Sequence, residues 1–248
     1  MKTLFPLWKR ELQAFYLTAL GPLITVFFLI ATGTTYWVLA SRYAQQPMGG
    51  DLTHAFFGSP VFWLILVTLA PLLTMRSLAE QDPQGAMETL MSAPVTATEV
   101  VLAKYAGAFT VYILLWAPTA TYPFWLWLCG GQVTMMDWGA VITGYLGVAL
   151  IGASFLALGL FCSLLARRQL VAAMAGLVLL SLWVSLDAIP LSAHAQGLKS
   201  TLAYLSPRLH MADFRVGVMD SRAMVAHVGL TVFLLFSTAQ TLEARRWR

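Results

Sequence analysis

Charge is scarce in this chain. Asp, Glu, Lys and Arg make up 10% of its 248 residues, where a soluble domain carries about a quarter. So little charge cannot cover a water-facing surface. With 59% hydrophobic residues and a mean hydropathy of +0.74, the chain has lipid as its solvent over most of its length, where only helices or closed barrels satisfy the backbone. The apolar runs are continuous over about 20 residues rather than alternating, which selects helices. Cysteine is scarce as well. Cys129 and Cys162 give no disulfide framework, and the order of the apolar runs puts them near opposite membrane faces, too far apart to pair. The net charge is only +4. Lys and Arg form no basic tract or face of the kind that binds nucleic acid; they sit at the ends of the apolar runs.

Two further absences narrow the function. No phosphate-cradling pattern (Gly, four residues, Gly-Lys-Ser/Thr) occurs, so the chain cannot hydrolyse ATP by itself in the usual way. No Asp, Glu, Lys or Arg falls well inside an apolar run; Asp187 comes nearest, at the outer end of the fifth. Proton- and ion-driven transporters need such buried groups, so a secondary transporter is disfavoured. His54, His194, His210 and His227 show no paired spacing with cysteines or carboxylates. That spacing predicts no metal site and a surface or interface position for each.

What is present is an amphipathic start and six apolar runs. Leu4, Phe5, Trp8, Leu12, Phe15 and Tyr16 recur at helical spacing, while Lys2, Lys9, Arg10, Glu11 and Gln13 mostly occupy other faces. Residues 1–17 therefore read as a helix lying in the headgroup layer. A signal peptide with Val38-Leu39-Ala40 as its cleavage site is the alternative, but the apolar run is too long for one. The runs cover about 20–39, 60–78, 103–128, 138–165, 170–189 and 223–241. With the N-terminus inside, Lys2, Lys9, Arg10, Arg76, Lys104, Arg167, Arg168, Arg245, Arg246 and Arg248 lie on the inner side, and Arg42, Lys199, Arg208, Arg215 and Arg222 on the outer. This bias predicts both termini in the cytoplasm. Tyr36, Trp37, Trp125, Trp127 and Trp138 then mark the outer boundary as an aromatic belt. Ala149, Gly152, Ala153, Ala157 and Gly159 in the fourth run predict close helix packing, within the subunit or between two of them. Thr32, Thr34 and Thr35 either bond to backbone or a neighbouring helix, or line a pathway.

Two connections are long, residues 76–104 inside and 190–222 outside. In the inner one, Asp82 and Pro83 suit an N-cap and a first helical position. A short helix from Pro83 to Met91 would place Met87, Leu90 and Met91 on one apolar face with Glu88 close to it. Ser92-Ala93-Pro94 stops that helix, since the residue before proline avoids the α region. Thr96-Ala97-Thr98-Glu99 fits a capping box opening the next one. The apolar face needs a cover, which is either the headgroup layer or a groove on a soluble partner. Glu80, Asp82, Glu88 and Glu99 disfavour an anionic membrane surface and favour the protein groove.

A family likeness joins these segments. Leu73-Thr74-Met75-Arg76-Ser77-Leu78-Ala79-Glu80, Gly85-Ala86-Met87-Glu88-Thr89-Leu90, Ala93-Pro94-Val95 and Glu99-Val100-Val101-Leu102-Ala103-Lys104-Tyr105 together resemble ABC-2 type transporter permeases, most closely the gliding-motility branch. Ala86-Met87 stands where that branch has Thr-Leu, and Ala103-Lys104 where it has Gly-Lys. The closing segment agrees, through Ser206-Pro207, His210, Phe214, Gly217-Val218-Met219-Asp220 and the terminal Leu242-Glu243-Ala244-Arg245-Arg246-Trp247-Arg248.

The resemblance implies an all-α membrane protein of the type V exporter-like fold: an interfacial helix plus six transmembrane helices in one permease domain over residues 1–248. It implies a cytoplasmic coupling region at 79–100 and short re-entrant helices within 190–222. Such a permease sits in a bacterial inner membrane, pairs with an identical or similar permease and binds two copies of an ABC ATPase. The ATPase carries the ATP and Mg, so this chain needs no cofactor of its own. An accessory protein on the outer side is compatible. The ATPase-interface residues would be Pro83, Gly85, Met87, Glu88, Leu90, Met91 and Pro94, supported by Arg76, Glu80, Glu99 and Lys104. Direction, by the same likeness, is export.

Two other readings stand beside it. Gly152-Ala153-Ser154 and Ala226-His227 resemble the elements of a rhomboid intramembrane serine protease. A Ser–His dyad needs both side chains at one depth. Counted along the runs, Ser154 lies about 24 Å from the outer end of its own run at 1.5 Å per residue, and His227 near the outer start of the last run. The third reading is a non-transporting scaffold subunit.

Overall fold

The computed structural model describes residues 4–45, 52–78, 96–130, 137–166, 168–188, 201 and 204–246, and every regular element among them is helical. In chain order these are α1 (Leu4–Leu17), α2 (Leu20–Gln45), α3 (Leu52–Gly58), α4 (Pro60–Thr74), α5 (Ala97–Trp116), α6 (Thr121–Gly130), α7 (Trp138–Leu165), α8 (Gln169–Val184), α9 (Pro207–Phe214) and α10 (Ser221–Arg246), with short 3-10 turns at Ala117–Ala120 and Leu186–Ala188. Four stretches are long and apolar enough to cross a bilayer: α2, α5 continued to Trp125, α7 and α10. The pair α3 and α4, bent by 52°, makes a fifth if counted as one span; α8 is apolar but has only 16 residues.

Local chemistry sets the helix starts. Ser59 caps α4 by accepting from Phe62 N at 3.1 Å, with Pro60 in the first turn. Asp137 accepts from Gly139 N at 2.8 Å and opens α7. The capping box expected at Thr96 and Glu99 is formed in both directions, at 3.3 and 3.2 Å. The third apolar run departs from expectation. It is broken by the 3-10 turn at Ala117–Ala120, where Pro118 cannot supply a helical N–H.

Helix α7 is the axis of the bundle. It packs against α3, α4, α5, α8, α9 and α10. Close approach is possible because its small residues face the neighbours: a Cβ on Gly152 would collide with the Tyr112 ring, and one on Gly159 with Thr74. These glycines serve packing within the subunit. Tyr112 uses the approach to donate its hydroxyl to Val148 O at 2.9 Å. Thr32, Thr34 and Thr35 return their hydroxyls to the carbonyls of Phe28, Ile30 and Ala31 at 2.8, 2.7 and 2.7 Å, the backbone role considered for them. The apolar surfaces of α2, α8 and α10 face outward, as at Phe27, Leu170, Met174, Phe233 and Phe236, which suits a lipid or protein surround.

The bundle has two ends, named here by Lys104 and Trp138. Trp37, Trp125 and Trp138 are exposed at the second, but Tyr36 turns inward onto Phe56 and Tyr122. At the first end lies α1, and its orientation corrects the pattern reading. Trp8, Glu11, Leu12 and Phe15 share the more buried face, while Phe5 and Tyr16 stay exposed. The acidic Glu11 belongs inside because Lys104 of α5 is there to meet it.

Candidate functional site

The Lys104 end is built by long-range polar contacts. Nζ of Lys104 donates to Glu11 Oε1 at 3.1 Å; the lysine side chain is 6% exposed and the glutamate 24%. A lysine this buried requires a counter-ion, and Glu11 can supply it because Gly107, a turn further along α5, lets α1 approach closely. Trp8 Nε1 adds a bond to Thr110 Oγ1 at 3.1 Å. Helix α1 is thus bolted to α5.

Helix α4 is followed by a turn at residues 75–78. Ser163, near the end of α7, grips this turn. Its hydroxyl accepts from Leu78 N at 3.1 Å and donates to Met75 O at 3.3 Å. The described chain resumes at the Thr96–Glu99 capping box. Leu78 before that segment and Val101 after it meet in one apolar cluster with Leu160 and Leu164 of α7 and Ala239 and Leu242 of α10. Both ends of the segment between are therefore fixed to the same two helices.

The sequence-predicted residues divide accordingly. Lys104 is a buried structural cation paired to α1. Glu99 is the reciprocal partner in the capping box. Arg76 is exposed at the turn after α4. Glu80, Pro83, Gly85, Met87, Glu88, Leu90, Met91 and Pro94 lie outside the described residues.

A second polar group was missed. Ser154 of α7, His227 of α10 and His210 of α9 form a buried chain: Ser154 Oγ lies 3.0 Å from His227 Nδ1, and His227 Nε2 lies 3.2 Å from His210 Nδ1. The surface or interface positions expected for His210 and His227 are incorrect; both are buried. So is the mismatch of depth between Ser154 and His227. Residue counting assumed that both spans start at one plane. Gly217, held at a positive φ of 86° that favours glycine, instead packs beside Gly139 and Ala140 at the head of α7. Residues 218–220 are not helical and advance further per residue than a helix does. Helix α10 opens below the head of α7, and residue 227 draws level with 154.

The contact does not make a catalytic dyad. Ser154 is fully buried, and its hydroxyl lies 2.8 Å from the carbonyl of Ile151, which can only accept. Two tautomer sets fit these contacts: in one the serine donates to Ile151 while His227 and His210 each donate from Nδ1, and in the other His210 donates to the Tyr204 backbone, His227 Nε2 to His210 and the serine to His227. Only the second set faces a base toward the serine proton, and in either the full burial of Ser154 closes it to a substrate. Among the described residues, no group of three or more His, Cys, Asp or Glu side chains could hold a metal.

Comparison with known families agrees with this architecture. The profile described as ABC-2 family transporter protein matches residues 38–207, more than half of the chain, and the chain belongs to that family. It is therefore a membrane component of a transporter rather than its catalyst, in a family whose permeases work with an ABC ATPase. No match is found among the curated proteins.

Proposed function

We propose that this chain is the membrane-spanning subunit of an ATP-driven exporter, and that residues 79–95 present the docking surface for a separate ATPase. The supporting observation is the double clamp: Ser163 on Leu78 at one end, the Thr96–Glu99 box at the other, and one apolar cluster joining both to α7 and α10. A push on the segment between reaches α4, α5, α7 and α10 at once, which a scaffold subunit would not need. Met87, Glu88 and Leu90 form the centre of the docking face, with Pro83, Gly85, Met91 and Pro94 shaping it. Six spans result when α3 with α4, and α8 with the turn after it, each count as one. Both termini then face the cytoplasm, in keeping with the Lys and Arg bias. Two such permeases, identical or similar, and two ATPases complete the transporter in a bacterial inner membrane.

Glu88→Arg tests the docking face. In mild detergent the variant should remain monodisperse and lose the ATPase that co-purifies with the unaltered chain. Retention of the ATPase at the unaltered ratio would contradict the assignment.

A further inference from the structure

A cavity of about 350 Å3 lies between α1, α2, α4 and α5 at the Lys104 end, within the ~300–1,000 Å3 typical of small-molecule pockets. Its lining is graded along each helix. Arg76 and Ser77 follow the end of α4, with Leu72 and Leu73 a turn further in. On α5, Lys104 comes first and Ala108 and Val111 lie deeper. Thr18 precedes α2, and Ile24 lies along it. The polar groups gather at the mouth, where α4 ends and α5 begins, with Phe15, Leu20 and Met75 among them, and the depth is lined by apolar residues and Gly107.

The charges at the mouth do not balance. Glu11 is the carboxylate of the lining, and its Oε1 already serves two cations, Lys104 at 3.1 Å and Arg10 at 3.9 Å. Arg76 is exposed and makes no ion pair with any described residue. A guanidinium without a carboxylate partner among the described residues, in a lining that also carries Ser77, is a fit for a phosphate. The apolar depth beneath it is a fit for a hydrocarbon chain.

We infer that this cavity binds an anionic acyl-chain phospholipid of the inner leaflet, its phosphate on Arg76 and its chain among Leu73, Ile24, Ala108 and Val111. The lipid ties α1 to the turn from which the 79–95 segment departs. This inference rests on the membrane placement of α1 and not on ATPase docking, so it stands or falls separately from the Glu88 test.

Native mass spectrometry of the purified chain, exchanged into phosphatidylglycerol or phosphatidylcholine mixed with detergent, measures retained lipid directly. The unaltered protein should keep phosphatidylglycerol in preference to phosphatidylcholine. Arg76→Gln, an exposed position that leaves the fold intact, should weaken phosphatidylglycerol retention about tenfold, the scale of one charge-assisted hydrogen bond, without changing phosphatidylcholine. Glycerol phosphate should not displace the lipid, which separates a lipid from a free phosphate. Ala108→Trp, filling the apolar depth, should reduce retention of phosphatidylglycerol even with Arg76 present. Equal retention of both lipids by the unaltered chain, unchanged phosphatidylglycerol on Arg76→Gln, or full displacement by glycerol phosphate would each overturn the inference.

Discussion

Nδ1 of His227, in the second turn of α10, meets Oγ of Ser154, in the middle of α7, at 3.0 Å across the interface of two helices long enough to span a bilayer. The bond belongs to a network that also holds α9: His210 continues it at 3.2 Å, and Trp183 Nε1 of α8 reaches Leu205 O, just before α9, at 2.8 Å. Ser154→Ala strands a buried ring nitrogen of His227 and should cost about 1–2 kcal/mol, read as a lower melting temperature in detergent. Because it is fully buried, Ser154 should not react with a fluorophosphonate probe. Labelling that disappears in Ser154→Ala would restore the protease reading.

The same network gives a pH dependence. His210, on the short helix outside the spanning segments, is held below the usual histidine range by burial, with Asp213 and Asp220 pulling it back up and the Tyr204 backbone also raising it; the His227 ring faces it. A histidine lowered in the fold is protonated more readily in the unfolded chain. Its contribution is present above the ordinary pKa of about 6.5 and is lost as pH falls below it. The melting temperature should drop between about pH 7 and pH 5, and His210→Gln should flatten that drop. An equal drop in both proteins would contradict a buried neutral imidazole.

Glu11 and Lys104 make an asymmetric pair. Glu11→Ala leaves a lysine that is 6% exposed without its counter-ion, at a cost of about 3–5 kcal/mol. Lys104→Met leaves a glutamate that is 24% exposed and able to turn toward water. Thermal unfolding should rank Glu11→Ala clearly below Lys104→Met. The opposite order would mean that Lys104 does not depend on α1 for its charge.

How far these features were legible in the sequence depends on their range. Helix α7 was readable because its apolar run has no interruption, and Thr96 with Glu99 was readable because a capping box is complete within four positions. Short α3 and α9 carry no such signal. The Glu11–Lys104 and Ser154–His227 contacts join residues far apart in the chain, and a helical wheel assigns Glu11 to water because it cannot see Lys104. Depth counting failed at His227 for a related reason: the offset of α10 is created by the residues after Gly217, whose path only the packing of α9 on α7 determines.

Ser163 offers a local test of the clamp. Ser163→Ala removes the bonds to Leu78 N and Met75 O, on the order of 0.6 kcal/mol each in a membrane protein. Hydrogen exchange at residues 75–78 should accelerate while the middle of α7 is unaffected. Unchanged exchange at those residues would show that the apolar cluster alone holds the turn.

The most direct measurement is purification of the tagged chain from its native membrane in mild detergent, with the accompanying chains identified by mass spectrometry. Docking of an ATPase on residues 79–95 predicts a soluble ATPase in a two-to-two ratio with permease subunits, and the identity of the second permease separates a homodimer from a heterodimer. A partner-free chain, reproduced after crosslinking in the intact membrane, would contradict it.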